Sequence, residues 1–304
     1  MSATALSRTL PVYHSSLVGR EGDIQRLRDL LRDPEISLIT ITGTSGVGKT
    51  RLATTAGQQL LDRQDIDVLF IPLATTLDPT LVPGEIGKAL NIQGEQLAIA
   101  IRSRLDDFRG LVILDNFEQL IEAAPFVSEI RPGNPDVTIL VTSQRPLQVE
   151  GERVLRLDPL PVPEPDNADT EISDNPSVQL VIERAASQDD SIVETLESPE
   201  TSETLAEICR RLDGIPLALE LAASRLATLS PEVVLTQLES GHGILSSQRK
   251  DRPERQRTIH TAIAWSFQLL PEEIQQVFLR LAPFAAGFGL DIVKRLVTHL
   301  KLTA

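Results

Sequence analysis

Residues 37–53 read SLITITGTSGVGKTRLA: a short β-rich run, a glycine-rich turn and the opening of a helix. The turn matches G-x-x-x-x-G-K-[ST] at Gly43, Gly48, Lys49 and Thr50. Glycine at 43, 46 and 48 lets the backbone turn tightly and bring N–H groups against an anion, where a side chain would collide with it. The helix that follows aims its positive dipole end at the same point. Thr44, Ser45, Val47 and Arg51 complete the stretch that would surround a bound nucleotide. Lys49 is placed to reach the β- and γ-phosphates, and the Thr50 hydroxyl to ligate Mg²⁺. The glycine spacing is G-x-x-G-x-G, not the dinucleotide fingerprint G-x-G-x-x-G, so a nicotinamide enzyme is not indicated. A strand before the motif and a helix after it are the context it requires, which argues against a chance glycine-rich turn.

Outward from the loop, strand and helix signals alternate. Apolar runs at 67–73 (DVLFIPL), 111–114 (LVIL) and 138–142 (TILVT) read as strands, with 153–157 (RVLRL) as a fifth. Helical spacing covers 19–32, 50–61, 84–108 and 118–130. Strands that are almost continuously apolar are buried on both faces, and helices between them supply right-handed crossovers. The expected fold class is therefore α/β, an open parallel P-loop sheet flanked by helices.

LVILDNFE, residues 111–118, places Asp115 at the carboxyl end of an apolar strand, where open α/β sheets bind ligands. A carboxylate there can hold Mg²⁺ through water. Asn116 and Glu118 follow at once. Asn116 cannot act as a base, so Glu118 is the better candidate for positioning an attacking water. The equal alternative for Glu118 is an acid favoured by a helix N-terminus. The end of the next strand carries Thr142, Ser143, Gln144 and Arg145. Arg145 is a candidate γ-phosphate sensor through bidentate hydrogen bonds, or else a partner for surface acids.

The bulk composition narrows the function. With 29 basic against 43 acidic side chains, a formal charge of −14 disfavours direct nucleic-acid binding. Cys209 is the one cysteine, so no internal disulfide can form, and its helical spacing suits a small core residue. His14, His242, His260 and His299 are scattered and give no histidine–cysteine metal site. Aromatics at 3% leave Leu, Ile, Val and Ala to build the core, which suits helices and parallel sheet. No apolar run approaches the roughly 20 residues of a membrane span and no secretory leader is seen, so no membrane association is expected and the cytoplasm is the expected location.

Six segments are expected. Residues 1–16 are a polar N-terminal arm and 17–157 the nucleotide-binding domain. Composition changes at Asp158, and 158–175 is rich in proline and acids, an interdomain linker too polar to pack. Residues 176–240 form a helical domain with helices near 177–186, 203–212, 217–229 and 231–238. Ser230-Pro231 is a helix-start pair there. Residues 241–256 are a second linker. Its basic stretch, overlapping 249–257, is interrupted by Asp251 and Glu254 and reads as solvated chain rather than a nucleic-acid contact. Amphipathic helices occupy 257–304.

The ordered set of motifs resembles the STAND class of signalling ATPases, in particular the NB-ARC-type ATPases of bacterial AfsR-like and LuxR-like regulators. LVGRE (17–21), GTSGVGKTRLA, LVILDNFE, TSQRPL (142–147) and RRLDGIPLALELAA (210–223) stand in the family's order. The resemblance implies that Val18, Gly19 and Arg20 line an adenine pocket. It also implies that Gly214, Ile215 and Pro216 are the G-x-P motif, with Pro216 packing on the adenine and Leu217 beside it. RQRTIHTAIAWSFQLL (255–270) resembles the start of a winged-helix domain, which would be incomplete at Ala304, as in a truncated core of a longer regulator. The implied activity is a switch that binds ATP or ADP with Mg²⁺ and hydrolyses ATP slowly. Nucleotide state would be coupled to domain rearrangement and self-association on behalf of unidentified effector or sensor domains. Two residues depart from the family pattern. Gln144 stands where arginine is usual, with Arg145 one step on, and Asn116 replaces a second acid. A P-loop phosphotransferase is the first alternative, but no arginine-rich lid lies between Phe117 and Asp158. A DNA-loading ATPase is the second, and needs a helical-domain arginine such as Arg210 or Arg211 to reach the phosphates.

Overall fold

The apolar runs become five strands of one sheet: β1 (Leu38–Thr42), β2 (Asp67–Pro72), β3 (Gly110–Asp115), β4 (Val137–Ser143) and β5 (Arg153–Arg156). Their spatial order is β2-β3-β4-β1-β5, and every neighbouring pair is parallel. In the computed structural model the described residues are 10–62, 67–94, 96–131, 133–165, 172–245, 267, 272–281 and 289. Every residue of β1, β3 and β4 is buried, on both faces alike, as expected for a covered parallel sheet. In β5, at the sheet edge, only Leu155 is buried. Chain order and spatial order differ at one decisive point. β4 lies between β1 and β3, with Thr42 opposite Ser143 and Leu114 opposite Val141.

Five helices belong with the sheet: α1 (Glu21–Arg32), α2 (Lys49–Leu61), α3 (Val82–Ala89), α4 (Leu97–Asp106) and α5 (Ala124–Glu129). Two expectations are refined here. The helical span 84–108 is two helices, interrupted where Asn91 adopts φ 58, a left-handed conformation that ends a helix. The helix expected over 118–130 is two 3₁₀ turns, Phe117–Gln119 and Ile121–Ala123, followed by α5. Pro125 explains the delay, because proline is accepted in a first turn but not in a helix interior. Ile86, Ile101, Phe117, Val127 and Ile139 are all fully buried in the shared apolar core.

The described residues fall into two units by their contacts. The first contains the sheet and runs to Leu157, and the second comprises Thr44–Val47 together with the chain from Asp158. The second unit holds α6 (Pro176–Ala186), α7 (Val193–Leu196), α8 (Pro199–Arg211), α9 (Pro216–Leu226), α10 (Pro231–Leu245) and α11 (Glu272–Leu281). Proline opens α6, α8, α9 and α10, where its missing N–H costs nothing. Asn175 caps α6 by accepting from the Ser177 N–H. α7 and the first turn of α8 went unrecognised in the sequence, although Ser198-Pro199 is the same start pair as Ser230-Pro231. Arg184, 9% exposed, ties α6 to α9 through Nε and the Glu220 carboxylate at 3.0 Å.

The linker expected to be too polar to pack is corrected over its first residues. Leu160 and Pro163 are buried, and the Leu160 N–H donates to the Gly214 carbonyl at 2.9 Å. An acid-rich average concealed two apolar side chains with a place in the helical core. The winged-helix reading of 255–270 falls outside the described residues apart from Phe267.

Cys209 lies fully buried in α8, and burial pushes its thiol up to about 12, against a Ser177 hydrogen bond and the Arg210 charge. At pH 8 the thiolate is then about one part in ten thousand. The folded protein should resist maleimide labelling over hours and label within minutes once denatured. Rapid labelling of the native chain would contradict this placement.

Candidate functional site

The glycine loop joins β1 to α2. Gly48 is the N-cap of α2 at φ 101, and Gly46 sits at φ 76, both in the left-handed region that glycine enters without strain. A Cβ on Gly48 would meet nothing within 4 Å, so the requirement at 48 is conformational and the space before the helix is open. Lys49 follows at the helix start with 8% exposure, its Nζ donating to the Gly43 carbonyl at 2.9 Å. Burial draws the Lys49 ammonium below its ordinary range, opposed by the negative charges of Glu118 and then Asp115.

Asp115 ends β3 and is 8% exposed. Its Oδ1 accepts from the Thr50 hydroxyl at 2.7 Å and from the Thr142 hydroxyl at 2.6 Å. The Thr142 oxygen in turn accepts from the Asn116 N–H at 2.9 Å. Three elements, α2, β3 and β4, thus converge on one carboxylate oxygen, while Oδ2 accepts from no described residue. Directly after it Asn116 takes φ 69, the left-handed region that asparagine tolerates better than most side chains. The chain turns sharply there, and an asparagine in place of a second acid suits that turn.

Glu118 lies in a three-residue 3₁₀ turn, and no α-helix begins before Ala124, which removes the helix-dipole alternative for it. Its Oε1 is 3.4 Å from the Gln144 amide, and its Oε2 is buried with no partner among the described residues. A buried acceptor beside an ammonium and an open anion-binding turn fits the oxygen-rich end of a nucleotide with its water. Thr50 and Asp115 supply the hard oxygen donors that Mg²⁺ prefers.

The remaining sequence-nominated residues separate. Val18 and Gly19 are half-buried, and Arg20, 6% exposed, pairs with Asp23 at 3.0 Å. Arg51 turns to the N-terminal arm: its Nη2 donates to the Ser15 and Ser16 carbonyls and to the Ser15 hydroxyl. Its Cζ also stands 5.3 Å from the centre of the Tyr13 ring. The Tyr13 phenol is raised by burial and by the Asp115 charge. Leu10 is 5% exposed and packs at Gly57 of α2. The arm expected to be merely polar is therefore docked on α2 over residues 10–16. Arg145 is exposed, and its guanidinium makes no hydrogen bond or ion pair with the described residues. In the second unit, Pro216 opens α9, and the Leu217 N–H donates to the Gly46 carbonyl at 3.1 Å. Thr44 and Val47 belong to the same unit, as does the exposed Ser45. Arg210 is committed to Glu203 and Glu207, and Arg211 to Glu207 and Glu239.

Thr142 is the functional residue that sequence reasoning passed over. It was visible as a polar end to an apolar strand, but attention went to Arg145 three positions on. Its role depends on β4 lying beside β3, which the linear order does not reveal.

The sequence profile of the AAA ATPase domain matches residues 16–283. An uncharacterized protein of Mycobacterium tuberculosis is 33% identical over 297 residues, covering 94% of this chain and 71% of that protein. A second Mycobacterium tuberculosis protein, named as a candidate HTH-type transcriptional regulator, is 34% identical over 263 residues. That match takes in 84% of this chain and 28% of the regulator. Among solved structures, a STAND protein with a tetratricopeptide repeat sensor from Pyrococcus horikoshii superposes with a TM-score of 0.57 at 15% identity. The match covers 94% of this chain and 37% of that one. Drosophila ORC bound to DNA gives 0.51 at 13% identity, covering 94% and 96%. At these identities the structural likeness is one of fold. The chain spans little more than a quarter of the named regulator and about a third of the STAND protein. Among the described residues no helix is long and apolar enough to cross a membrane. With the glycine loop, the strand-end carboxylate and a profile match over most of its length, this chain belongs to the AAA ATPase domain family and has a STAND-like fold.

Proposed function

We propose that this chain is the nucleotide-dependent switch of a bacterial regulator, binding ATP or ADP with Mg²⁺ in the cytoplasm. It would hydrolyse ATP slowly and couple nucleotide state to rearrangement and self-association. The observation that carries the reading is the meeting of the Thr50 and Thr142 hydroxyls on one oxygen of Asp115, beside Lys49 and the open glycine turn.

In this reading the loop from Gly43 to Gly48 cradles the phosphates through backbone N–H groups, and Lys49 neutralises them. Thr50 and Asp115 hold Mg²⁺, whose charge favours negative charge building on the transferred phosphoryl group. Thr142 positions the Asp115 carboxylate. Glu118 orients a water through its unpartnered Oε2. Val18, Gly19 and Arg20 form the base side of the site. Slow turnover is expected because Asn116 offers no second carboxylate and Arg145 has no anchor holding it toward a phosphate. A switch needs the two nucleotides to be contacted differently, and Gly46, bonded to Leu217, is the loop residue through which helix α9 would feel the change.

The regulator assignment is supported by the named Mycobacterium tuberculosis relative and by the STAND-like fold. The DNA-loading alternative loses its nominated arginines, since Arg210 and Arg211 are held by carboxylates within the helical unit. To test the switch, freshly purified protein is denatured and any released nucleotide identified by chromatography. Near-stoichiometric ADP is expected. An empty site with rapid ATP turnover on adding Mg²⁺ would mean an ordinary catalytic ATPase or kinase.

A further inference from the structure

A cavity of about 500 Å³ opens at the amino edge of the sheet. It lies among the carboxyl-terminal halves of α1 and α2 and the first residues of β3 and β4. Its floor is apolar, built by Leu31, Ala56, Leu60 and Leu111. The volume falls within the range of small-molecule sites. It is not the phosphate site: Leu111 stands near the start of β3 and Asp115 at its end, on the order of 13 Å apart along an extended strand.

Three arginines border the cavity, and they are not equivalent. Arg109 pairs with Asp136 at 3.0 Å and Arg32 with Asp29 at 3.8 Å. Arg28 alone meets no carboxylate. Its Nε donates to Gln59 Oε1 at 3.0 Å, and its two terminal nitrogens make no hydrogen bond or ion pair among the described residues. Arg28 is half-buried, so part of its charge is held away from water with no acid beside it. Burying that charge without a partner costs free energy that an anion would recover. The anion should be singly charged, because one guanidinium without a carboxylate leaves one charge to be met.

We propose that this cavity binds a small amphiphilic monocarboxylate, its carboxylate forked onto the terminal nitrogens of Arg28 and its apolar body on the leucine floor. A protein partner would need a contact of roughly 1,000 Å² or more, whereas a concave apolar pocket with one convergent charge is the form of a small-ligand site.

The probe is octanoate, titrated calorimetrically into the full chain, with octanamide as its uncharged counterpart. Saturable octanoate binding is expected, at least about tenfold tighter than octanamide, the order of one charge-assisted hydrogen bond. Arg28→Gln should abolish the preference. Because that change also disturbs the Gln59 contact, Gln59→Glu is the second variant: it keeps Arg28 and offers it a carboxylate from within the chain, so octanoate binding should fall at least about tenfold there too. Absence of saturable octanoate binding, equal affinity for acid and amide, or undiminished binding to Gln59→Glu would each overturn the proposal. Nucleotide is left out of the titration, so these outcomes are independent of the switch.

Discussion

Replacing Lys49 by alanine should weaken ADP binding by at least about a hundredfold while leaving the chain folded. A charge-assisted hydrogen bond contributes roughly 1.5–3 kcal/mol, and the two that the proposed site would give the ammonium on phosphate oxygens amount to about two or more orders of magnitude. The fold should tolerate the change. Burial already disfavours the Lys49 charge, and its amine donates to the Gly43 carbonyl of its own loop. Calorimetric titration of ADP reads the affinity, and far-UV circular dichroism with a urea midpoint reads the fold. Wild-type affinity in the Lys49→Ala protein would remove the phosphate-loop assignment altogether.

Asp115→Asn should have the second-largest effect, and a different one. Asparagine keeps an acceptor oxygen for Thr50 and Thr142 but removes the charge that Mg²⁺ needs. Binding of ADP without magnesium should hold or tighten, because a negative charge near the phosphates has been taken away rather than added. The gain in affinity that magnesium confers on ATP should disappear, and single-turnover hydrolysis should fall about a hundredfold or more. Asp115→Ala makes a useful contrast. It removes the acceptor of the buried Thr142 hydroxyl and of the half-buried Thr50 hydroxyl, at a cost of roughly 1–3 kcal/mol for a buried group left unsatisfied, so its urea midpoint should drop where that of Asp115→Asn holds. A magnesium titration with undiminished enhancement in Asp115→Asn would exclude this carboxylate from the metal site.

Much of the site was legible because its parts are local. A glycine loop between a strand and a helix declares itself through backbone geometry that few other residues can adopt, and Gly46 and Gly48 take the left-handed angles the motif requires. Asp115 was legible because a lone acid ending an apolar run has few structural reasons to be there. Proline opens α6, α8, α9 and α10, and of these start signals the sequence reading used Ser230-Pro231 alone, finding the other helices by their apolar spacing. The role of Arg145 was not legible, for the opposite reason. A guanidinium on a long side chain can point many ways, and nothing in its neighbours tells whether it meets a phosphate or water.

Arg51 and Leu160 show how packing overrides an averaged reading. By position Arg51 belongs to the phosphate loop, yet its guanidinium is held by Ser15, Ser16 and the Tyr13 ring, which dock the arm on α2. Leu160 lies in a segment whose composition says solvent, yet one apolar side chain and one backbone hydrogen bond to Gly214 suffice to seat it.

From its sequence alone this protein read as a parallel α/β nucleotide binder with Lys49, Thr50 and Asp115 as its candidate centre, because periodicity, turn chemistry and strand-end polarity act over a few residues. That Thr142 joins them was decided only in three dimensions. Strand order arises from the competition of whole strands for buried neighbours, and β4 wins the place between β1 and β3. The hydroxyl at its end then reaches the same Asp115 oxygen as Thr50, although the two threonines stand 92 positions apart in the chain.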